Sequence, residues 1–135
     1  MTKTKQIQKA TLEALLARKQ QAQAEKMQFV DIEVQKIGMS FTVQRQPLTR
    51  ILSLLDRFAD TEGLAEKFEM YKELIYNSVP LFQSKELQEA YAPAIPSDIV
   101  TMILNDDMTA IGQLGEGICA LYGLDDGKAV DEIKN

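Results

Sequence analysis

The chain has 135 residues, 45% of them hydrophobic and 26% charged, with a formal net charge of −5. That length sets one domain able to bury a core, and the composition is that of an ordinary soluble globular protein. There is no histidine and only one cysteine, which excludes the commonest general base and metal ligand, every Ser-His or Cys-His nucleophile pair, and any internal disulfide.

Residues 2–26 are rich in Ala, Gln, Lys, Glu and Leu, all strong helix formers. Their apolar content is concentrated in Leu12, Leu15 and Leu16, so a helix here has little to bury. Charge is uneven: residues 1–26 hold six basic and two acidic side chains, and the remainder holds nine basic and eighteen acidic. Residues 1–26 therefore read as a basic, polar helical arm on an acidic body. It is open to several uses: a solvated, partly disordered helix, an arm that orders on a client, a contact with nucleic acid or an acidic partner, or a fold back onto its own body. No apolar h-region follows the charged start, and no run approaches the roughly 18 apolar residues of a membrane span. A cytoplasmic protein is expected, with no membrane partner.

Over 28–46 the period changes to two. Val30, Ile32 and Val34 alternate with Asp31 and Glu33, and Met39, Phe41 and Val43 alternate with Ser40 and Thr42. With Gly38 between them, this predicts a β-hairpin with a loop at 36–38. Two strands alone are marginal in water. The apolar face must lie on helices or pair with another strand, including one from a second copy of the chain.

Residues 47–59 predict a helix opening on Pro47 at its first position. Leu48, Ile51, Leu52, Leu55 and Phe58 form one stripe, expected to face the core. The stretch 60–63 is a turn in which Gly63 is free to take positive φ. Residues 64–78 form the next helix, with Leu64, Phe68, Tyr71, Leu74 and Ile75 inward. Pro80 stops it. Ser84 is placed to cap a short helix ending near Tyr91, Pro93 and Pro96 break the chain again, and Ser97 is expected to cap a helix carrying Ile99, Val100, Ile103 and Leu104.

Asn105, Asp106 and Asp107 open a last helix, where acids suit the positive end of the dipole. Ile111, Leu114, Ile118, Leu121 and Tyr122 keep helical spacing. Gly112, Gly115 and Gly117 each cost roughly 1 kcal/mol against alanine there. Gly112 and Gly115 share a face and predict a closely approaching helix. Cys119 reads as a small buried hydrophobe, and Gly123 as the C-cap. Residues 125–135 form a polar tail whose acids do not match the ligand spacing of a calcium-binding loop.

The expected fold class is mainly α (α+β): the helical arm over 1–26, one globular domain over 27–124 with the hairpin at 28–46 and helices across 47–122, and the tail over 125–135. No catalytic or metal-binding motif is present: adjacent acids such as Asp106 and Asp107 point apart on a helix, and no CxxC, HExxH, GxSxG or GxGxxG occurs. No enzyme and no cofactor are expected. The basic arm has no aromatic side chain, so nucleic acid is not an expected partner. A DNA-associated module using that arm would show salt-dependent duplex binding.

The run Ile75-Tyr-Asn-Ser-Val-Pro-Leu81, then Glu86-Leu-Gln-Glu-Ala-Tyr91, then Pro96-Ser-Asp-Ile-Val100 resembles the XkdN-like family of phage tail assembly chaperones, with the likeness covering roughly residues 30–124. The resemblance implies a small protein of the host bacterial cytoplasm, absent from the mature virion, that binds the phage tape measure protein and keeps it soluble while the tail is built. Other tail proteins are further partners under this reading, and self-association stays open. A client with long apolar stripes needs an exposed apolar groove on a soluble body. The candidate contacts beside the proline corners are Leu81, Phe82, Leu87, Tyr91 and Ile95. The alternative is a small connector or completion protein of the virion tail, its hairpin paired between copies.

Overall fold

The computed structural model describes residues 7–26, 29–61 and 63–124. The first six residues of the expected arm and the stretch 125–135 lie outside the described residues. The elements run α1 (Leu12–Lys26), β1 (Phe29–Val34), β2 (Met39–Gln44), α2 (Leu48–Asp56), α3 (Leu64–Ser78), a 3₁₀ turn (Pro80–Gln83), α4 (Lys85–Tyr91), a second 3₁₀ turn (Pro96–Asp98), α5 (Ile99–Ile103) and α6 (Met108–Ala120). The architecture is mainly α with one antiparallel hairpin, as the change of period from two to helical spacing predicts.

In the hairpin, Val30 pairs with Val43, Ile32 with Phe41 and Val34 with Met39. Residues directly opposite share a face, so these six side chains form one apolar surface. Val34, Phe41 and Val43 are buried in the core and Ile32 packs against it. On the other face Thr42 Oγ1 donates to Asp31 Oδ1 at 2.7 Å. The loop is four residues, 35–38, one longer than expected. Gly38 closes it at φ +68° while its N–H donates to the Val34 carbonyl at 3.0 Å. β1 lies against α6, and β2 against the Pro80–Gln83 turn.

The centre of the molecule is the packing of α3 on α6. Tyr71, Leu74 and Ile75 meet Ala110, Ile111, Leu114 and Ile118 in one buried cluster. Gly115 permits the approach: a Cβ there would stand 2.9 Å from both Cε1 and Cγ of the Tyr71 ring, and nearer still to Cδ1. Gly117 makes room for Ile32 of β1, whose Cγ2 would lie 2.8 Å from an added Cβ. Gly112 has no atom within 4 Å of that position. The expected pairing of Gly112 with Gly115 is therefore corrected. Two residues apart on a helix is a rotation of about 200°, so Gly115 and Gly117 admit neighbours on opposite sides, α3 on one and the hairpin on the other.

Several sequence expectations differ locally. On α2 only Ile51 is buried; Leu48 is 49% and Leu52 40% exposed, while Leu54, Leu55 and Phe58 are partly covered. The apolar stripe is wider than the surface α3 offers it. Leu64, expected inward, opens α3 and is exposed. Gly63 is an extended N-cap with φ −76° rather than a positive-φ residue. Pro47 stands one position earlier, at the N-cap. Ser97 is buried within the second 3₁₀ turn and makes no capping bond.

Asp107 is the N-cap of α6: its carboxylate accepts from the N–H of Thr109 at 2.8 Å and of Ala110 at 3.2 Å. Asn105 and Asp106 reach that cap through left-handed backbone, at φ +57° and +52°. At the other end Gly123, at φ +77°, donates to the Ala120 carbonyl and Leu124 to that of Cys119, the paired bonds of a Schellman cap. At α1, Thr11 Oγ1 accepts from the Ala14 N–H at 3.2 Å, and Leu12, Leu15 and Leu16 are exposed.

Candidate partner-binding surface

The five candidate contacts separate into two groups. Phe82 is fully buried, with its ring edge-on to Phe41 at a centroid distance of 5.5 Å. It joins the hairpin to the 3₁₀ turn and cannot touch a partner in this fold, so it leaves the candidate set. Leu87 is half-buried and packs against the core from α4. Leu81, Tyr91 and Ile95 face solvent, at 59%, 39% and 57% exposure.

These three share a corner built by hydrogen bonds. Gln88 Nε2 donates both to the Phe82 carbonyl at 2.9 Å and to the Pro96 carbonyl at 3.0 Å. One amide nitrogen thus holds the two 3₁₀ turns together across α4. Leu81 and Ile95, each next in the chain to a clamped residue, flank the same corner. Tyr91 lies three residues beyond Gln88, on the same side of α4. Ser84 Oγ caps α4 by accepting from the Leu87 N–H at 3.3 Å, as expected from sequence. Ala92 ends α4 in left-handed backbone, φ +48° and ψ +54°, its N–H donating to the Gln88 carbonyl at 2.8 Å. A non-glycine residue there costs about 1–2 kcal/mol, and the turn it makes aims the chain through Pro93 to Ile95.

An ion cluster that sequence reasoning missed lies beneath the second turn. Lys72 of α3 is buried, with Nζ 2.9 Å from Asp98 Oδ1 and 3.1 Å from Glu69 Oε2. Burial works against its charge. The hydrogen bonds from Asp98 and Glu69, with their negative charges, outweigh that and raise its pKa above the ordinary lysine value. The pair with Glu69 is visible as an i, i+3 spacing. Asp98 is 26 residues away, and no local pattern announces it. Its role is to tie the Pro96–Asp98 turn to α3, which fixes the platform under Ile95.

At the hairpin end, Lys36 Nζ lies 3.6 Å from Asp107 Oδ2. The Asp107 carboxyl is held below its usual range chiefly by the Ala110 N–H; burial opposes this as the next largest effect, and the Thr109 N–H and Lys36 add to the lowering. Cys119 is buried, and burial, with a contribution from the Glu116 charge, pushes its thiol up to about 11. A thiol so protonated is not a nucleophile at neutral pH. Among the described residues no group of three or more acids and cysteines stands ready to hold a metal, and no helix is long and apolar enough to cross a membrane.

Comparison with protein families, with curated proteins and with solved structures finds no match to this chain.

Proposed function

We propose that this chain is a tail assembly chaperone of a phage or prophage, a binding protein and not an enzyme, which holds the tape measure protein soluble in the host cytoplasm and leaves before the virion is complete. The reading rests on the sequence resemblance together with one observation: Leu81, Tyr91 and Ile95 are exposed around the Gln88-clamped corner, inside the run that carries the resemblance. Apolar side chains held out by a hydrogen-bonded corner suit a client whose helices carry apolar stripes. Leu87 supports them from below. The client's binding energy would concentrate at Tyr91, since aromatic anchors dominate such contacts.

The test is co-expression of the tape measure protein with the wild-type chain and with a Leu81→Ser/Ile95→Ser variant. The client is expected in the soluble fraction with the first and in the pellet with the second. Equal insolubility with and without the wild-type chain would sink the reading. The alternative, a structural tail component, draws on the hairpin: its two strands pair only with each other among the described residues, and each outer edge can accept a strand from another copy. Mass spectrometry of purified particles separates the two, since a component is present in fixed stoichiometry and a chaperone is not.

A further inference from the structure

A groove of about 290 Å³ lies between α2 and α3 and shares no residue with the Gln88 corner. Gln46 and Arg50 line it with Asn77, and next to it Phe58 stands with Lys67 and Met70. The end of α2 thus meets the first half of α3, and the two helices run antiparallel. Arg50, Leu54 and Arg57 fall at i, i+4 and i+7 on α2; Arg57, its C-cap, keeps helical backbone at φ −61° and ψ −20°. Glu66, Met70 and Glu73 repeat that spacing on α3, on the stripe that continues to Asn77. Each row is charge, apolar, charge over about 10.5 Å of one helix face. One row is positive and the other negative.

Among the described residues none of these four charged side chains is in an ion pair. Arg50, Arg57 and Glu66 are exposed and Glu73 is half-buried. Arg50 is pre-positioned: its Nη1 donates to Gln46 Oε1 at 3.2 Å, and Gln46 Nε2 donates to the Asn77 carbonyl at 3.3 Å. That relay leaves four of its five N–H donors for another acceptor. Arg57 lies over the Phe58 ring at 5.7 Å, a contact that uses none of its N–H groups. Glu66 rests against Gly63 at the start of α3 and can turn outward. An acidic partner would meet Arg50 and Arg57 but also Glu66 and Glu73, and a basic partner the reverse. The surface fits a partner that carries both signs at the same spacing, and this chain does. We infer that the α2–α3 face docks on the same face of a second copy. A two-fold axis parallel to the helices sets α2 of one copy antiparallel over α3 of the other. Arg50 then meets Glu73 and Arg57 meets Glu66 across the interface, with Leu54 over Met70 between them, and each contact occurs twice by symmetry. An axis across the helices would instead set arginine against arginine.

The experiment is sedimentation velocity on the full chain across a wide concentration range, at low and high salt. The wild type is expected to form a dimer that weakens as salt screens the pairs. Arg50→Glu/Arg57→Glu makes both rows negative and Glu66→Arg/Glu73→Arg makes both positive, so each variant alone should dissociate at least about tenfold more readily. An equimolar mixture of the two restores opposite charges at every contact and should recover the dimer. The neutral pairs Arg50→Gln/Arg57→Gln and Glu66→Gln/Glu73→Gln guard against loss of fold, checked by far-UV circular dichroism; their dimers should be weaker than the wild type's and insensitive to salt. A wild type that stays monomeric at about 1 mM, where even a millimolar pair would show, overturns the proposal. So does a dimer that survives either reversal or keeps its salt dependence in the neutral pairs, since it then forms through another surface such as the hairpin edge. Two folded reversal variants that fail to associate when mixed overturn it as well.

Discussion

Alanine at Gly112 and alanine at Gly115 are expected to move stability in opposite directions, although both lie inside α6 and only three residues apart. In a helix interior the change from glycine to alanine gains about 0.5–1 kcal/mol when the new methyl meets nothing. Gly112 offers that case, with no atom within 4 Å of an added Cβ. At Gly115 the same methyl would press on Tyr71 Cδ1, Cε1 and Cγ. These atoms are close to the Tyr71 backbone, and the residue is buried, so the ring cannot swing clear as the end of a flexible chain would. Overpacking of this kind costs about 2–3 kcal/mol, leaving a net loss of about 1–2 kcal/mol after the helical gain. For 135 residues the unfolding entropy near the midpoint is about 0.28 kcal/mol/K. Gly112→Ala should raise Tm by about 2–4 °C and Gly115→Ala should lower it by about 4–7 °C. The assay is thermal unfolding followed by far-UV circular dichroism, with Tyr71→Ala and the Tyr71→Ala/Gly115→Ala pair alongside. Removing the ring should abolish the cost of the methyl, a coupling of about 2 kcal/mol. A Gly115→Ala protein that melts at or above the wild type, or additive behaviour in the pair, would refute the argument that this contact sets the α3–α6 distance.

Other outcomes follow from the same packing. Phe82→Ala should cost about 3–5 kcal/mol in urea unfolding, whereas Leu81→Ser, one residue earlier, should stay within about 0.5 kcal/mol; equal costs would contradict the division between core and surface. Ser78 Oγ is buried without a hydrogen-bond partner among the described residues. Ser78→Ala is accordingly expected to stabilise by about 1 kcal/mol, since it removes a desolvated hydroxyl and suits the helix better. Because the Asp107 carboxyl titrates below its unfolded value near 3.9, its contribution is complete above that pH and is lost as pH falls through the lower folded pKa. Asp107→Asn keeps a capping side chain. It should flatten the acid limb of stability below the unfolded carboxylate value of about 3.9 while changing little at pH 7. An unaltered acid limb would show that other carboxylates carry it.

Much of the fold was legible because local signals agreed with the tertiary structure. The period-two run gave the hairpin and its inner face, and Ser84 and Gly123 marked a helix start and a helix end through capping chemistry. What failed was whatever depended on the partner surface. The α2 stripe reports which face is apolar, but Leu48 and Leu52 stay in solvent because α3 covers only part of it. Leu81 and Phe82 are adjacent in a 3₁₀ turn, where neither the strand nor the α-helical period sorts inside from outside, so the candidate surface took in a core residue. The glycines were assigned to one face on spacing alone, and only the hairpin's position shows why Gly117 rather than Gly112 is constrained. No local pattern marks Lys72 as buried, because its partner Asp98 comes from the Pro96–Asp98 turn, 26 residues further along the chain.

The hairpin rests on a helix made much later. Lys36 and Gln113, which meet at the contact of the hairpin loop with α6, are 77 residues apart in the chain. At synthesis rates of about 5–20 residues per second, the strands leave the ribosome roughly 4–15 s before α6 follows them. For that interval Val30, Ile32, Val34 and Phe41 have only each other for cover, and a hairpin alone is marginal. The nascent chain therefore carries an apolar, edge-open segment while every helix between β2 and α6 is being made. Close ribosome spacing on one message would bring such segments together, and translation pauses before residue 108 would lengthen their exposure.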